Sequence, residues 1–150
     1  MDGFRDIVEN KINPHILELF YNTPKTRLII EPSEKPDGPM ALYYAGSLDG
    51  KRPGKFKVNT HKFKSQPKYE MVSLSLHEAS PGHHLQSSFS LEQDDFPTFR
   101  KVMEDRIYSQ TPSRFPINTA YTEGWGLYSE KLGFDMELFN DPMDRFGHFR

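Results

Sequence analysis

The feature that most restricts how this chain can fold is a helix breaker set inside a helical pattern. Tyr69, Val72 and Leu76 recur at helical spacing, and a further helical stretch runs from His83 to about Leu91, but Ser80-Pro81-Gly82 lies between them. Pro81 removes the hydrogen bond to the carbonyl of residue 77 and its ring clashes with that carbonyl. A helix over residues 67–91 therefore has to bulge or restart at this point. Pro67 marks its beginning, at the first helical position, with Ser65 or Gln66 as cap. Three of the chain's six histidines crowd around the break, in His77-Glu78-Ala79-Ser80-Pro81-Gly82-His83-His84.

The rest of the chain supplies more helix and one small sheet. Phe4, Ile7, Val8, Ile12, Ile16, Leu17 and Phe20 predict a helix over residues 1–21, kinked or split at Pro14. Residues 22–40 are rich in turn formers and enclose a short apolar strand at 28–30. Residues 41–60 predict a β-hairpin: a strand at 41–45, turn signals at Asp49-Gly50 and Pro53-Gly54, then the alternation Lys55, Phe56, Lys57, Val58. A helix from about Pro97 covers Phe99, Val102, Met103 and Ile107. Residues 111–116 are a loop, and a last long helix spans about 117–134. With no internal repeat or linker, residues 1–150 read as a single region, mainly α with a small antiparallel β-hairpin or sheet.

Composition narrows the function classes. Nineteen basic and 21 acidic residues leave a net charge of -2, unlike a generally basic nucleic-acid binder or an acidic tail. The absence of cysteine excludes disulfide scaffolds, thiolate zinc sites and cysteine nucleophiles. Mean hydropathy is -0.72, a polar value, yet 12 Phe and 7 Tyr suffice for a core. No apolar run approaches the roughly 18 residues that span a bilayer. MDGFRDIVEN has no apolar segment of the signal-peptide kind. The expectation is a soluble, untargeted chain with no membrane partner.

Two constellations could carry chemistry. Two histidines on one helix can share a zinc ion, with a neighbouring Glu acting on water, when they lie one turn apart. Here the residue four after His77 is Pro81. On a straight helix His84 would share the face of His77 but sit about 10 Å along the axis, too far for one ion. A bulge at Pro81 could instead bring His83 into the position of the second ligand. Burying His77 and Glu78 among Leu74, Leu76 and Ala79 is expensive unless something partners them. The second constellation is Thr122-Glu123-Gly124-Trp125-Gly126-Leu127-Tyr128-Ser129-Glu130. Glu123 and Glu130 are seven apart and share a helical face, with Gly126 between. Two glycines in a helix cost about 1 kcal/mol each, tolerated where another group must come close. The bland readings are a polar surface cluster and an exposed acidic stripe; together, two histidines lacking one ligand and a nearby carboxylate suit zinc.

His77 to Gln86, HEASPGHHLQ, resembles the signature of the bacterial domain-of-unknown-function family 885, placed among the gluzincin-type metallopeptidases. The stretch from Tyr43-Tyr44 through Leu48-Asp49-Gly50, Arg52-Pro53-Gly54 and Val58-Asn59 is similar to the same family. So is Glu123 through Glu130, and the matches keep their order over residues 40–145. The related carboxypeptidase Taq and thimet-oligopeptidase families carry His-Glu-x-Gly-His-x-Leu. Aligned on Gly82-His83-His84-Leu85, their second zinc histidine falls on His83. The resemblance implies Zn²⁺ held by His77, His83 and Glu123, with His84 as the alternative second ligand or a donor to substrate. It implies Glu78 as general base on a zinc-bound water, and Glu130 orienting a ligand histidine through its other ring nitrogen. The implied activity is hydrolysis of a peptide bond, and the implied fold a partial gluzincin-like catalytic core.

Members of that family are several times longer, and their oxyanion-stabilising Tyr or His comes after the glutamate helix. The chain thus resembles the central fragment of a larger enzyme. One alternative is a truncated, catalytically inactive fragment or binding module that keeps the metal site. Another is a nucleic-acid-binding domain using Lys51, Arg52, Lys55, Lys57, Lys62 and Lys64 interleaved with Phe56 and Phe63. Lysines guarding a sheet edge explain those residues more simply. The resemblance adds an edge strand along which an extended peptide pairs. His15, His61 and His148 have no partner spacing and read as surface residues. A structural protein with an incidental histidine cluster completes the set.

Overall fold

The computed structural model of the chain describes residues 1–61, 63–101 and 119–150. Lys62, Val102, Met103, Ile107, the loop at 111–116, the start of the last long helix at 117 and the side chain of Phe99 lie outside the described residues.

The N-terminal apolar stripe forms one continuous helical segment. It begins as α1 (Asp2–Asp6), widens into a π-helix over Ile7–Ile12 and returns to α geometry as α2 (Asn13–Leu19). The Asn13 N–H reaches back five residues to the Val8 carbonyl. The chain accommodates Pro14 this way: a ring with no N–H is taken up by a wider turn just ahead of it. The helix is neither split nor interrupted.

Three strands follow: β1 (Leu28–Pro32), β2 (Ala41–Tyr44) and β3 (Gly54–Val58). β2 and β3 form the expected antiparallel hairpin. The sheet as a whole is mixed, because β1 joins the other side of β3 in parallel, giving the order β1-β3-β2. Alternation along β3 explains the addition. Gly54, Phe56 and Val58 face inward, while Lys55 and Lys57 point the other way and need a counter-charge. Glu31 of β1 provides it, with Oε1 3.1 Å from Lys55 Nζ and 3.4 Å from Lys57 Nζ. Those lysines hold the Glu31 carboxyl below its usual range. Phe56 is fully buried and meets Phe4 edge-on at 5.5 Å. Burying such a side chain is worth roughly 1.5–3 kcal/mol. The hairpin therefore does not display Phe56 beside its lysines.

The helix expected over residues 67–91 is two helices. Pro67 is extended rather than helical, a 3₁₀ turn spans Lys68–Glu70, and α3 (Met71–Glu78) follows. The chain leaves helical geometry for four residues and restarts as α4 (His83–Glu92). The helix from Pro97 is described as α5 (Thr98–Lys101), and the glutamate helix as α6 (Thr119–Asp135). α7 (Pro142–Phe149) was not expected from apolar periodicity, but its start is written in Asp141-Pro142. The Asp141 carboxylate accepts from the Met143 N–H at 2.7 Å, and proline opens the first turn. No described helix is long and apolar enough to cross a membrane.

α3 is the central element. It packs on α6, α7, the π-helical segment and β2, with Leu76 fully buried. Its approach to α6 depends on Gly133, where a Cβ would lie 2.5 Å from both Leu76 Cδ1 and Phe139 Cε2. Gly124 has open space around it. Gly133→Ala should lower stability by about 1–3 kcal/mol through overpacking. Gly124→Ala should raise it by up to about 1 kcal/mol through helix propensity. Urea unfolding midpoints of the two variants, moving in opposite directions, would check this.

Candidate metal centre

The four residues between α3 and α4 set the geometry. Pro81 cannot continue the helix, and Gly82 lets the chain double back across its end. A Cβ on Gly82 would sit 1.8 Å from the His77 carbonyl oxygen and 2.3 Å from that of Leu76, which no side chain can do. The His84 N–H bonds the Ala79 carbonyl at 3.1 Å, and the Gln86 N–H bonds that of Gly82 at 3.0 Å, starting α4 at once. Trp125 of α6 clamps the turn from outside, its indole N–H donating to the Pro81 carbonyl at 2.8 Å. A restart of the helix, not a bulge within one, thus places the His83 ring 4.6 Å from that of His77, nearly perpendicular to it.

α6 brings the carboxylates. Glu123 Oε2 is 3.3 Å from His77 Nε2 and 3.8 Å from His83 Nε2. Glu130, two turns on, places Oε1 2.7 Å from His77 Nδ1. Gly126 lies between the two, and a Cβ there would fall 2.5 Å from His77 Cε1 and 2.6 Å from Nε2. Of the two glycines in this helix, Gly126 is the one that permits a close approach, and the group it admits is the His77 ring.

These contacts define the electrostatics. Burial opposes charge on His77, but the Glu130 hydrogen bond and the charges of Glu130, Glu78 and Glu123 outweigh it and raise its pKa. His83 is lowered, chiefly by burial and then by His77. Glu78 is pushed up to about 7, mainly by burial; the positive charge of His77 and a Tyr43 backbone hydrogen bond oppose this, while Glu123 adds to it. Its Oε2 is buried with no hydrogen-bond partner.

His84 points elsewhere. It is 6% exposed, with Nδ1 3.2 Å from Tyr43 Oη and 3.3 Å from Ser88 Oγ. Burial drops its pKa to about 4. Gly54 of β3 makes room for this knot, since a Cβ there would approach Tyr43 Oη and His84 Nδ1 within 2.7 Å. His84 anchors α4 to the sheet, and the structure puts His83, not His84, beside His77.

Donor atoms of His77, His83 and Glu123 all lie within 4.8 Å of one another. With the His77 Nδ1 proton given to Glu130, its Nε2 lone pair faces a carboxylate oxygen. Two acceptors in contact call for a proton or a cation between them. Ligand bonds of about 2.0–2.1 Å to a tetrahedral ion imply donor separations near 3.3 Å, so the residues fit a small divalent metal.

The family model described as bacterial protein of unknown function, DUF885, matches residues 1–150. The chain belongs to this family. It is also similar to a solved structure described as a candidate lipoprotein from Colwellia psychrerythraea, with 29% identity and a TM-score of 0.76. The similarity covers 98% of this chain and 23% of that one, so the chain spans less than a quarter of its solved relative. No curated protein matches it.

One residue of this DUF885 chain has a place that its sequence position did not suggest. His148, expected at the surface, has a side chain only 14% exposed, with Nδ1 3.5 Å from Glu130 Oε2. Nothing in its spacing reveals this, because α7 reaches Glu130 by packing on α3. His15 pairs with Glu18 at the surface, and His61 is exposed, both as expected. Metal titration with chelator competition should show that Glu130→Gln and Gly126→Ala each weaken divalent-metal binding, on the order of 10–100-fold, the usual cost of disturbing the support of a ligand.

Proposed function

We propose that the protein is a zinc-dependent hydrolase of peptide bonds, with Zn²⁺ held by His77, His83 and Glu123. The observation that carries this reading is the convergence of three acceptor atoms on one point beside a buried carboxyl group, Glu78, whose Oε2 has no hydrogen-bond partner. A zinc ion there would lower the pKa of water and polarise a carbonyl. The likeness of HEASPGHHLQ and of Glu123 through Glu130 to gluzincin-type peptidases agrees with this assignment.

The chain's own residues then divide the work. Glu78 takes a proton from water at its free Oε2 and returns it to the departing amine. A carboxyl group poised near 7 suits both directions of transfer. Glu130 holds the His77 ring through Nδ1, leaving Nε2 directed at the site. β2 is an edge strand, and Tyr43 on it lies beside both Glu78 and His83. An extended peptide pairing with that edge would pass the site.

Elemental analysis of the purified chain should find about one zinc, lost in His77→Ala, His83→Ala and Glu123→Ala. Glu78→Gln should keep the metal and lose peptide hydrolysis roughly 10²–10⁴-fold. Zinc without hydrolysis in the parent chain would favour a metal-holding module. No zinc after reconstitution would defeat the assignment.

A further inference from the structure

Glu130 turns one oxygen toward each of two histidines. Oε1 faces His77 Nδ1 from α3, and Oε2 faces His148 Nδ1 from α7, at 3.5 Å. The Glu130 and His148 side chains are 13% and 14% exposed. His148 Nδ1 is buried and has no hydrogen-bond partner; Glu130 Oε2, at ion-pair distance, is the acceptor it faces. A bare lone pair there would face a carboxylate oxygen away from water, so the tautomer with hydrogen on Nδ1 is the one that fits. The ring is held by aromatic faces. Phe134 and Phe139 each lie 5.1 Å from it, and Phe149 lies at 4.9 Å.

α7 is fastened so that this ring stays in place. Gly147 lets the helix touch the Tyr69 backbone, where a Cβ would come within 2.0 Å of the carbonyl oxygen. Arg150 donates to Glu70 Oε1 at 2.8 Å and to Tyr69 Oη at 2.9 Å. Both anchors lie in the turn that leads into α3, so α7 is tied to the start of the helix that carries His77.

We propose that His148 is a positioning residue: through Nδ1–H it pins Glu130 Oε2, and so fixes the orientation in which Glu130 Oε1 accepts from His77 Nδ1–H. The inference rests on the reading of His77 as a metal ligand. A carboxylate bonded through one oxygen can swing about its side-chain torsions. One that also meets a donor at its second oxygen, from a helix on the other side, is restrained. The effect reaches the metal only through Glu130 and His77, since His148 is not among the residues whose donor atoms converge.

Two readouts test it. Long-range ¹H–¹⁵N spectra of the imidazoles in the metal-free chain should show the Nδ1–H tautomer for both His148 and His77. In His148→Phe, which keeps a ring in the aromatic box, the His77 signals should shift toward a mixture of tautomers. Zinc affinity by chelator competition should fall about 10–100-fold in His148→Phe. His148→Asn, whose amide nitrogen can reach the place of Nδ1, should recover much of it while having no ring to fill the box. A merely structural role predicts the reverse order, with Asn the more damaging. A bare Nδ1 on His148, or parent-like zinc affinity in His148→Phe, would overturn the proposal and leave the metal site standing. If the parent chain takes up no zinc, the metal reading fails, and the His77 tautomer in His148→Phe alone decides: altered supports the positioning, unchanged overturns it.

Discussion

A buried imidazole pressed onto a helix backbone is the contact on which this structure turns. His77 can lie against α6 only because residue 126 has no Cβ, and it stays there because Glu130 Oε1 accepts a hydrogen bond from its Nδ1–H at 2.7 Å. That hydrogen bond is charge-assisted and largely shielded from water, which makes it stronger than an exposed pair of the same length. It joins α3 to α6, orients the ring, and brings Glu123, on the same face of α6, to the other ring nitrogen. The apolar contacts of Leu76 with the helix at Gly133 serve the same register from about two turns away. The packing of α3 on α6 and the geometry of the candidate site are thus one arrangement.

The break at residues 79–82 is the second half of that arrangement. An uninterrupted helix would carry His83 and His84 away from His77 along the axis. The chain instead folds back over the last turn of α3, and the price is a position that only glycine can fill. His84 then finds the sheet and His83 the site, so adjacent residues with the same side chain acquire different environments. One is buried in a hydroxyl-lined knot with Tyr43 and Ser88. The other points its Nε2 toward a carboxylate. The difference comes from the start of α4, where successive side chains diverge by about 100° around the axis.

The parts of this that could be read from sequence were local. The need for a break at Pro81, the shared face of Glu123 and Glu130, the hairpin and the N-terminal helix all follow from spacings within a dozen residues. The parts that could not be read depend on partners distant in the chain. β1 pairs with β3 in parallel, and Glu31 there meets two lysines more than twenty residues away, a match that periodicity does not register. Pro14 was readable as a disturbance, but its resolution as a π-helix depended on how the helix packs. The choice between His83 and His84 was open until the path of residues 79–82 was known. His148 offered no signal at all, since its role arises from the docking of α7 rather than from its neighbours in sequence.

Three glutamates surround His77, and burial distinguishes them. Glu123 has a side chain 54% exposed and faces two imidazole nitrogens. Glu130 is mostly buried, with His77 Nδ1 2.7 Å from one oxygen and His148 Nδ1 3.5 Å from the other. Glu78 is 8% exposed with one oxygen unpartnered, and desolvation pushes its pKa up to about 7. A carboxyl group that is buried with one oxygen unpaired beside a charged site is costly to keep for structure alone, since an apolar side chain of similar size would leave no polar atom unpaired. The other two carboxylates are explained by the partners they hold. Glu78 alone of the three keeps a buried oxygen without a hydrogen-bond partner among the described residues, which agrees with the proposed role of taking up and releasing a proton.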